Sequence, residues 1–112
     1  FTALSIISPF FLNPSNLQGL VNDSATLMLC AFGMTLVILV GEIDLSVGAV
    51  TSFLGVLLAL TLGTGMAWPL AAVAIILAGL LIGLINGAIT VFGDIPSFIV
   101  TLGMMSVVTG LS

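Results

Sequence analysis

The side chains best placed to do chemistry are Glu42 and Asp44, in the segment Gly41-Glu-Ile-Asp-Leu-Ser46. They are two of only four acidic residues, with Asp23 and Asp94, in a 112-residue chain that has no Lys, Arg or His. The segment separates two apolar stretches, each long enough to cross a membrane. A carboxylate at the centre of a bilayer costs roughly 2.5–3.5 kcal/mol even on lenient scales. Such a group must therefore line a sheltered cavity, cap a broken helix or reach a water interface, and each option requires several packed helices. On one continuous helix, residues 42 and 44 would project about 200° apart and one would meet lipid. An unwound link avoids this, and if extended it points both carboxylates to one side, where their repulsion calls for water or a cation.

Three roles follow for this link. Asp44 can cap a helix that begins at Leu45, its carboxylate accepting from the amides of Ser46 and Val47, while Glu42 reaches the interface. The break can also border a solute pathway, with Asp44 and Ser46 exposed to water and to a hydroxylated substrate, since irregular backbone at membrane depth occurs where it lines a cavity. Both can hold at once. A proton or sodium site built from Glu42 and Asp44 is a third reading, but no other stretch supplies a second acidic cluster.

Composition excludes much else. The chain is 61% hydrophobic and 4% charged, with a mean hydropathy of +1.51, against roughly 25% charged residues in ordinary soluble domains. It cannot clothe itself in a solvated surface. Without Lys or Arg, nucleic-acid binding and a Walker A loop are both excluded, so any ATP is hydrolysed on another chain. Cys30 is the only cysteine, which leaves no intrachain disulfide or multi-thiolate metal site; it reads as small apolar filler. No metal ligand set and no catalytic residues emerge, and a membrane-embedded hydrolase would need Asp44 and Asp94 to converge although both adjoin expected helix starts.

The elements that position these residues are legible from punctuation. Residues 1–11, interrupted by Pro9, read as the end of a preceding span or an interfacial segment, and Leu12-Asn-Pro-Ser-Asn16 as a connection. A span is expected over 17–41, with Asp23 among the oxygens that cap its apolar part. A second is expected over 45–62, in which Gly48, Ser52, Gly55 and Ala59 share one helix face suited to close packing. Gly63-Thr-Gly65 is a turn and Trp68 an interfacial aromatic, and Pro69 opens a third span, 69–92. There Gly79, Gly83 and Gly87 recur every fourth residue as a packing stripe, with Asn86 beside it facing either a neighbouring helix or a polar pathway. Phe92-Gly-Asp-Ile-Pro96 is a tight connection in which Asp94 caps a fourth, truncated span, 97–112, that contributes Thr101, Ser106 and Thr109. The expected fold is all-α: a polytopic transmembrane helix bundle with about three full spans and partial ones at both ends. A start at Phe1 and an apolar end suggest a piece of a larger bundle.

Three ordered segments, Gly33-Met-Thr-Leu-Val-Ile38, Gly41-Glu-Ile-Asp-Leu-Ser-Val-Gly48 and Ile95-Pro-Ser-Phe-Ile-Val-Thr-Leu-Gly-Met104, resemble the permease subunits of ribose/xylose-type bacterial ABC sugar importers. The resemblance covers nearly the whole chain but only the N-terminal-to-middle part of such a permease. It implies that residues 1–112 are part of a single importer transmembrane domain in the bacterial inner membrane, working with a second permease subunit, cytoplasmic ATP-binding subunits and a periplasmic or lipid-anchored sugar-binding protein. ATP and Mg would be bound by the ATPase partner, with no cofactor in this chain. Two departures stand out: Glu42 replaces a usual Gly, and Gly93-Asp94 and the neighbourhood of Thr109 lack usual basic residues, so the positive-inside signal is missing. The family's ATPase-docking loop lies farther toward the C-terminus.

The resulting expectation is a permease segment that helps form a passage for a monosaccharide or similar hydroxylated solute, with Asp44, Ser46, Asn86 and Thr101 as pathway candidates and no bond chemistry of its own. The alternative is a non-conducting assembly subunit of a membrane complex, whose stripes Gly48/Gly55 and Gly79/Gly83/Gly87 bind partner helices. That explains the glycines equally and the acidic break less well.

Overall fold

Helices form along the apolar runs between the turn-forming connections, and the computed structural model, which describes residues 2–8 and 10–112, contains five of them among those residues. They are α1 (Thr2–Ile7), α2 (Pro14–Leu39), α3 (Val47–Gly63), α4 (Trp68–Gly93) and α5 (Ser97–Leu111). No strand occurs among the described residues. Phe1 and Pro9, part of the expected 1–11 segment, lie outside them. The fold is that of an all-helical membrane bundle. Helices α2 and α4, 26 residues each, are long and apolar enough to cross a bilayer; at about 1.5 Å per residue each is roughly 39 Å long. α3 and α5 are shorter apolar helices.

Burial follows the solvent that such helices require. Ala71, Val100 and Val108 are the buried hydrophobic residues among those described, while large apolar side chains such as Leu36, Leu84 and Phe92 face outward. Water would penalise that arrangement, and hydrocarbon does not, so contacts between helices rest on close packing and polar bonds.

Two compact units divide the chain, Phe1–Leu36 and Val37–Ser112. In the first, Asn13 starts α2: its Oδ1 accepts from the Ser15 amide (3.2 Å) and hydroxyl (3.0 Å), and Pro14 takes the first helical position, where a missing N–H costs nothing. The helix thus begins three residues before the expected span boundary at residue 17, and the capping role expected of Asp23 is corrected. Asp23 lies inside α2 and is exposed, because the Asn13-Pro14 signal nucleates the helix more than two turns earlier.

In the second unit α3, α4 and α5 pack against one another. Gly65 turns the chain after α3 with φ +84°, and Pro69 lies in the first turn of α4. The α4–α5 connection corrects another expectation. Asp94 gives α5 no side-chain cap; it ends α4 in the left-handed region (φ 51°, ψ 40°), a conformation Asp tolerates better than most residues. Pro96 holds the N-cap position of α5, its carbonyl accepting from Ile99 (3.0 Å) and Val100 (3.4 Å).

Glycine packing is narrower than the stripes suggested. A Cβ on Gly79 would come within 3.1 Å of Leu54 Cδ1, which makes this the close approach between α4 and α3. At Gly48, Gly55, Gly83 and Gly87 a Cβ would meet nothing within 4 Å. Those four have open space where a side chain would begin, and Gly83 and Gly87 border a cavity.

Candidate functional site

The break between α2 and α3 is built by glycine chemistry at one end and by borrowed hydroxyls at the other. Gly41 adopts φ +81°; its amide bonds Ile38 O (2.9 Å) and the Glu42 amide bonds Val37 O (3.1 Å). This pair is the Schellman arrangement that ends a helix when a residue can enter the left-handed region. Residues 42–46 are then non-helical, as the acidic spacing required.

An extended link leaves amides without partners, and α5 supplies them. The Ile43 amide donates to Ser97 Oγ (3.1 Å) and the Leu45 amide to Thr101 Oγ1 (3.1 Å). The match is geometric: alternate residues of an extended chain advance about 6.6 Å, and residues four apart on a helix advance about 6 Å. Thr101, only 4% exposed, gives its own proton to Ser97 O (2.9 Å). Its hydroxyl is thus committed to holding the link, although its side chain also borders the cavity described below.

The other side of the link faces α4. Asp44 Oδ1 accepts from the Ser46 amide (2.8 Å) and from the Ser46 hydroxyl (2.6 Å). Ser46 Oγ in turn accepts from Asn86 Nδ2 (3.2 Å). Asp44 thereby tethers the entry to α3, but by a turn around Ser46, which itself occupies the N-cap position; no bond from Val47 to Asp44 accompanies it among the described residues. Ser46 is 1% exposed and Asn86 7%, so the expectation of a water-exposed Ser46 is corrected: its hydroxyl is saturated inside the unit. Asp44 is half-buried and Glu42 exposed. Asn86 Oδ1 is buried with no hydrogen-bond partner.

These groups converge on a cavity of about 520 Å³, bordered by Glu42, Asp44, Asn86, Thr90 and Thr101, with Gly83 and Gly87 in its α4 wall. A second space of about 170 Å³ continues past Asp44, Ser46 and Asn86 between α3 and α4. The first falls within the usual range of roughly 300–1,000 Å³ for small-molecule sites. A larger groove, about 810 Å³, runs along Leu54, Gly79 and Leu80 and is apolar; it shares Gly83, Gly87 and Val91 with the first cavity but is not bordered by Glu42 or Asp44. No cluster of three or more His, Cys, Asp or Glu that could hold a metal occurs among the described residues.

Of the four pathway candidates, the structure brings Asp44, Ser46 and Asn86 into one hydrogen-bonded chain and places Thr101 on the opposite side of the link. Reasoning from the sequence missed Ser97 and Thr90. The available signal for Ser97 was its spacing of four residues from Thr101, directly after the helix-starting Pro96.

An all-helical unit with a broken helix, polar groups gathered at the break and apolar surfaces elsewhere is consistent with a transmembrane helix bundle. The chain belongs to the family described as branched-chain amino acid transport system / permease component, whose model matches residues 16–112. It is similar to the autoinducer 2 import system permease protein LsrC of Shigella flexneri, 39% identical over 101 residues that make up 90% of this chain and 30% of that protein. It is also similar to the L-arabinose ABC transporter permease protein AraH of Azospirillum brasilense, 38% identical over 112 residues, 100% of this chain and 33% of that protein. The LsrC of Salmonella typhi is 32% identical over 111 residues, 99% of this chain and 32% of its own length. The chain thus spans about a third of the length of these relatives. No solved structure matches it.

Proposed function

We propose that this chain forms part of the translocation pathway of an ATP-binding cassette importer for a neutral monosaccharide or similar hydroxylated solute, as a multi-pass component of the bacterial inner membrane. The observation that carries this reading is the cavity of about 520 Å³ at the broken helix, the place where Glu42, Asp44 and Asn86 meet in an otherwise apolar permease-family unit. Relatives named for autoinducer 2 and for L-arabinose, a pentose, support it. The protein carries out no bond chemistry. A second permease subunit, cytoplasmic ATPases that bind ATP and Mg, and an external sugar-binding protein complete the machine, and conformational work from the ATPases opens and closes the pathway.

Branched-chain amino acids, named in the family description, fit the described lining less well. Such a solute is a zwitterion: its ammonium end would find Glu42 and Asp44, but its carboxylate end would find no Lys or Arg in this chain, and an unpaired charge in a partly desolvated site is costly, whereas a sugar brings no charge to pair.

The test compares Asp44→Ala and Asp44→Asn in the full-length permease, scoring sugar uptake by cells and, separately, the amount of assembled transporter in the membrane. Asp44→Asn, which keeps an oxygen for Ser46, should assemble normally and lose uptake. Asp44→Ala strands the buried Ser46 hydroxyl and should lose both. Normal uptake by an assembled Asp44→Asn transporter would remove the carboxylate from the pathway, and wild-type uptake of leucine but of no sugar would overturn the solute class.

A further inference from the structure

We propose that the side-chain carbonyl of Asn86 reads a hydroxyl group of the transported solute, held in that orientation by Asp44 acting through Ser46; this rests on the reading of the cavity as a sugar pathway. The argument is one of proton counting. A serine hydroxyl has a single proton to donate, and that of Ser46 goes to Asp44 Oδ1 over 2.6 Å, beside the Ser46 amide on the same oxygen. An ionised carboxylate offers no proton in return. Ser46 Oγ can therefore only accept from Asn86, which obliges Asn86 to turn its Nδ2 toward Ser46 (3.2 Å) and leaves its Oδ1 as the unpaired end of the chain.

That end has no partner, in a residue 93% buried by its 7% exposure. Leaving a buried amide oxygen unpaired is destabilising, and native structures keep few such groups without a use. Asn86 lies in the wall of both cavities that adjoin the break, and Gly83 and Gly87, which border the larger of these two beside it, have open space where a Cβ would stand. Glycine at these two positions leaves the approach to Asn86 free of side chains. The group that satisfies Oδ1 must be a donor, and with Glu42 and Asp44 also acceptors the fitting ligand is one rich in hydroxyl protons. Asp44 and Ser46 are positioning residues here: without them the amide is free to rotate and offer either end.

The experiment reconstitutes the full-length permease with its ATPase and sugar-binding partners in proteoliposomes and measures transport at saturating sugar and saturating binding protein. D-ribose, L-arabinose, D-xylose and D-galactose serve as probes, and the sugar transported fastest is then compared with each of its monodeoxy analogues. Asn86→Leu should slow the parent sugar about three- to tenfold, the worth of one hydrogen bond, and leave the rate for one particular analogue unchanged, because that analogue lacks the hydroxyl being read. Ser46→Ala, which leaves α4 untouched, should show a smaller loss with the same analogue dependence and provides the answer if Asn86→Leu fails to fold. Equal slowing of every analogue, or no slowing at all in a folded variant, overturns the inference while leaving the permease reading intact. Wild-type vesicles that move none of the four sugars would sink the sugar-pathway reading and this inference with it.

Discussion

Replacing Thr101 by Val probes the fastening of the broken helix directly, because it removes one hydroxyl and nearly preserves shape. Thr101 Oγ1 is the acceptor for the Leu45 amide at 3.1 Å, in a residue 4% exposed. The proton it gives to Ser97 O is a local bond within α5, so its loss strands nothing: that carbonyl keeps its helical partner. The Leu45 amide, in contrast, is left in a partly buried place without an acceptor, at a cost of about 1–3 kcal/mol. Since 1.4 kcal/mol is about a factor of ten, local opening of the link should become roughly five- to 150-fold more frequent. Hydrogen exchange of the full-length permease in detergent, followed by mass spectrometry on a peptide containing residues 42–46, reads this as loss of protection at Leu45. Ser97→Ala should have the milder effect, because the Ile43 amide it frees lies in an exposed setting where water can replace the hydroxyl. Thr101→Ser, which keeps the oxygen, should resemble wild type. If Thr101→Val leaves Leu45 protected, or if Thr101→Ser is as damaging as Thr101→Val, the hydroxyls of α5 do not hold the link and the reasoning fails.

Other perturbations separate backbone from packing. Gly41→Ala places a Cβ in open space but at φ +81°, so its cost is purely conformational, about 1–2 kcal/mol, seen as a lower melting temperature; Gly41→Asn should recover part of it, and an Ala variant that melts like wild type would contradict the left-handed turn. Gly79→Leu should lower the melting temperature by forcing α4 away from Leu54, whose Cδ1 already lies 3.1 Å from a Cβ position. Gly83→Ala meets no atom within 4 Å and should be neutral or raise stability by up to about 1 kcal/mol through helix propensity. The reverse order for these two variants in a thermal melt would show that the helices approach elsewhere.

How much was legible beforehand depends on how local each feature is. The helical, membrane-embedded character followed from the near absence of charge, since backbone amides in hydrocarbon must be satisfied within helices or closed barrels. The turns followed from residues that favour them on their own account: Gly41, Gly63-Thr-Gly65 and Asp94-Ile-Pro96 all interrupt helices where expected. The misreadings at Asp23 and Asp94 share one cause. Each offers a carboxylate near a helix, and a capping residue is recognised only with the geometry of its neighbours, which favoured Asn13 in one case and a left-handed turn in the other.

Sequence by itself determined where this chain could be helical, where it had to break, and that a carboxylate at the break needed shelter, because each of these depends on a residue and its near neighbours. Tertiary structure alone decided what gives the shelter. The partners of the link lie 54 and 56 residues away on α5 and 40 residues away on α4, separations at which no periodicity speaks. It also decided that Asn86 presents its oxygen and that Gly83 and Gly87 border empty space where Gly79 meets a helix. The direction of a hydrogen-bond chain and the room beside a missing side chain are set by how helices come together, and a string of residue types does not carry that information.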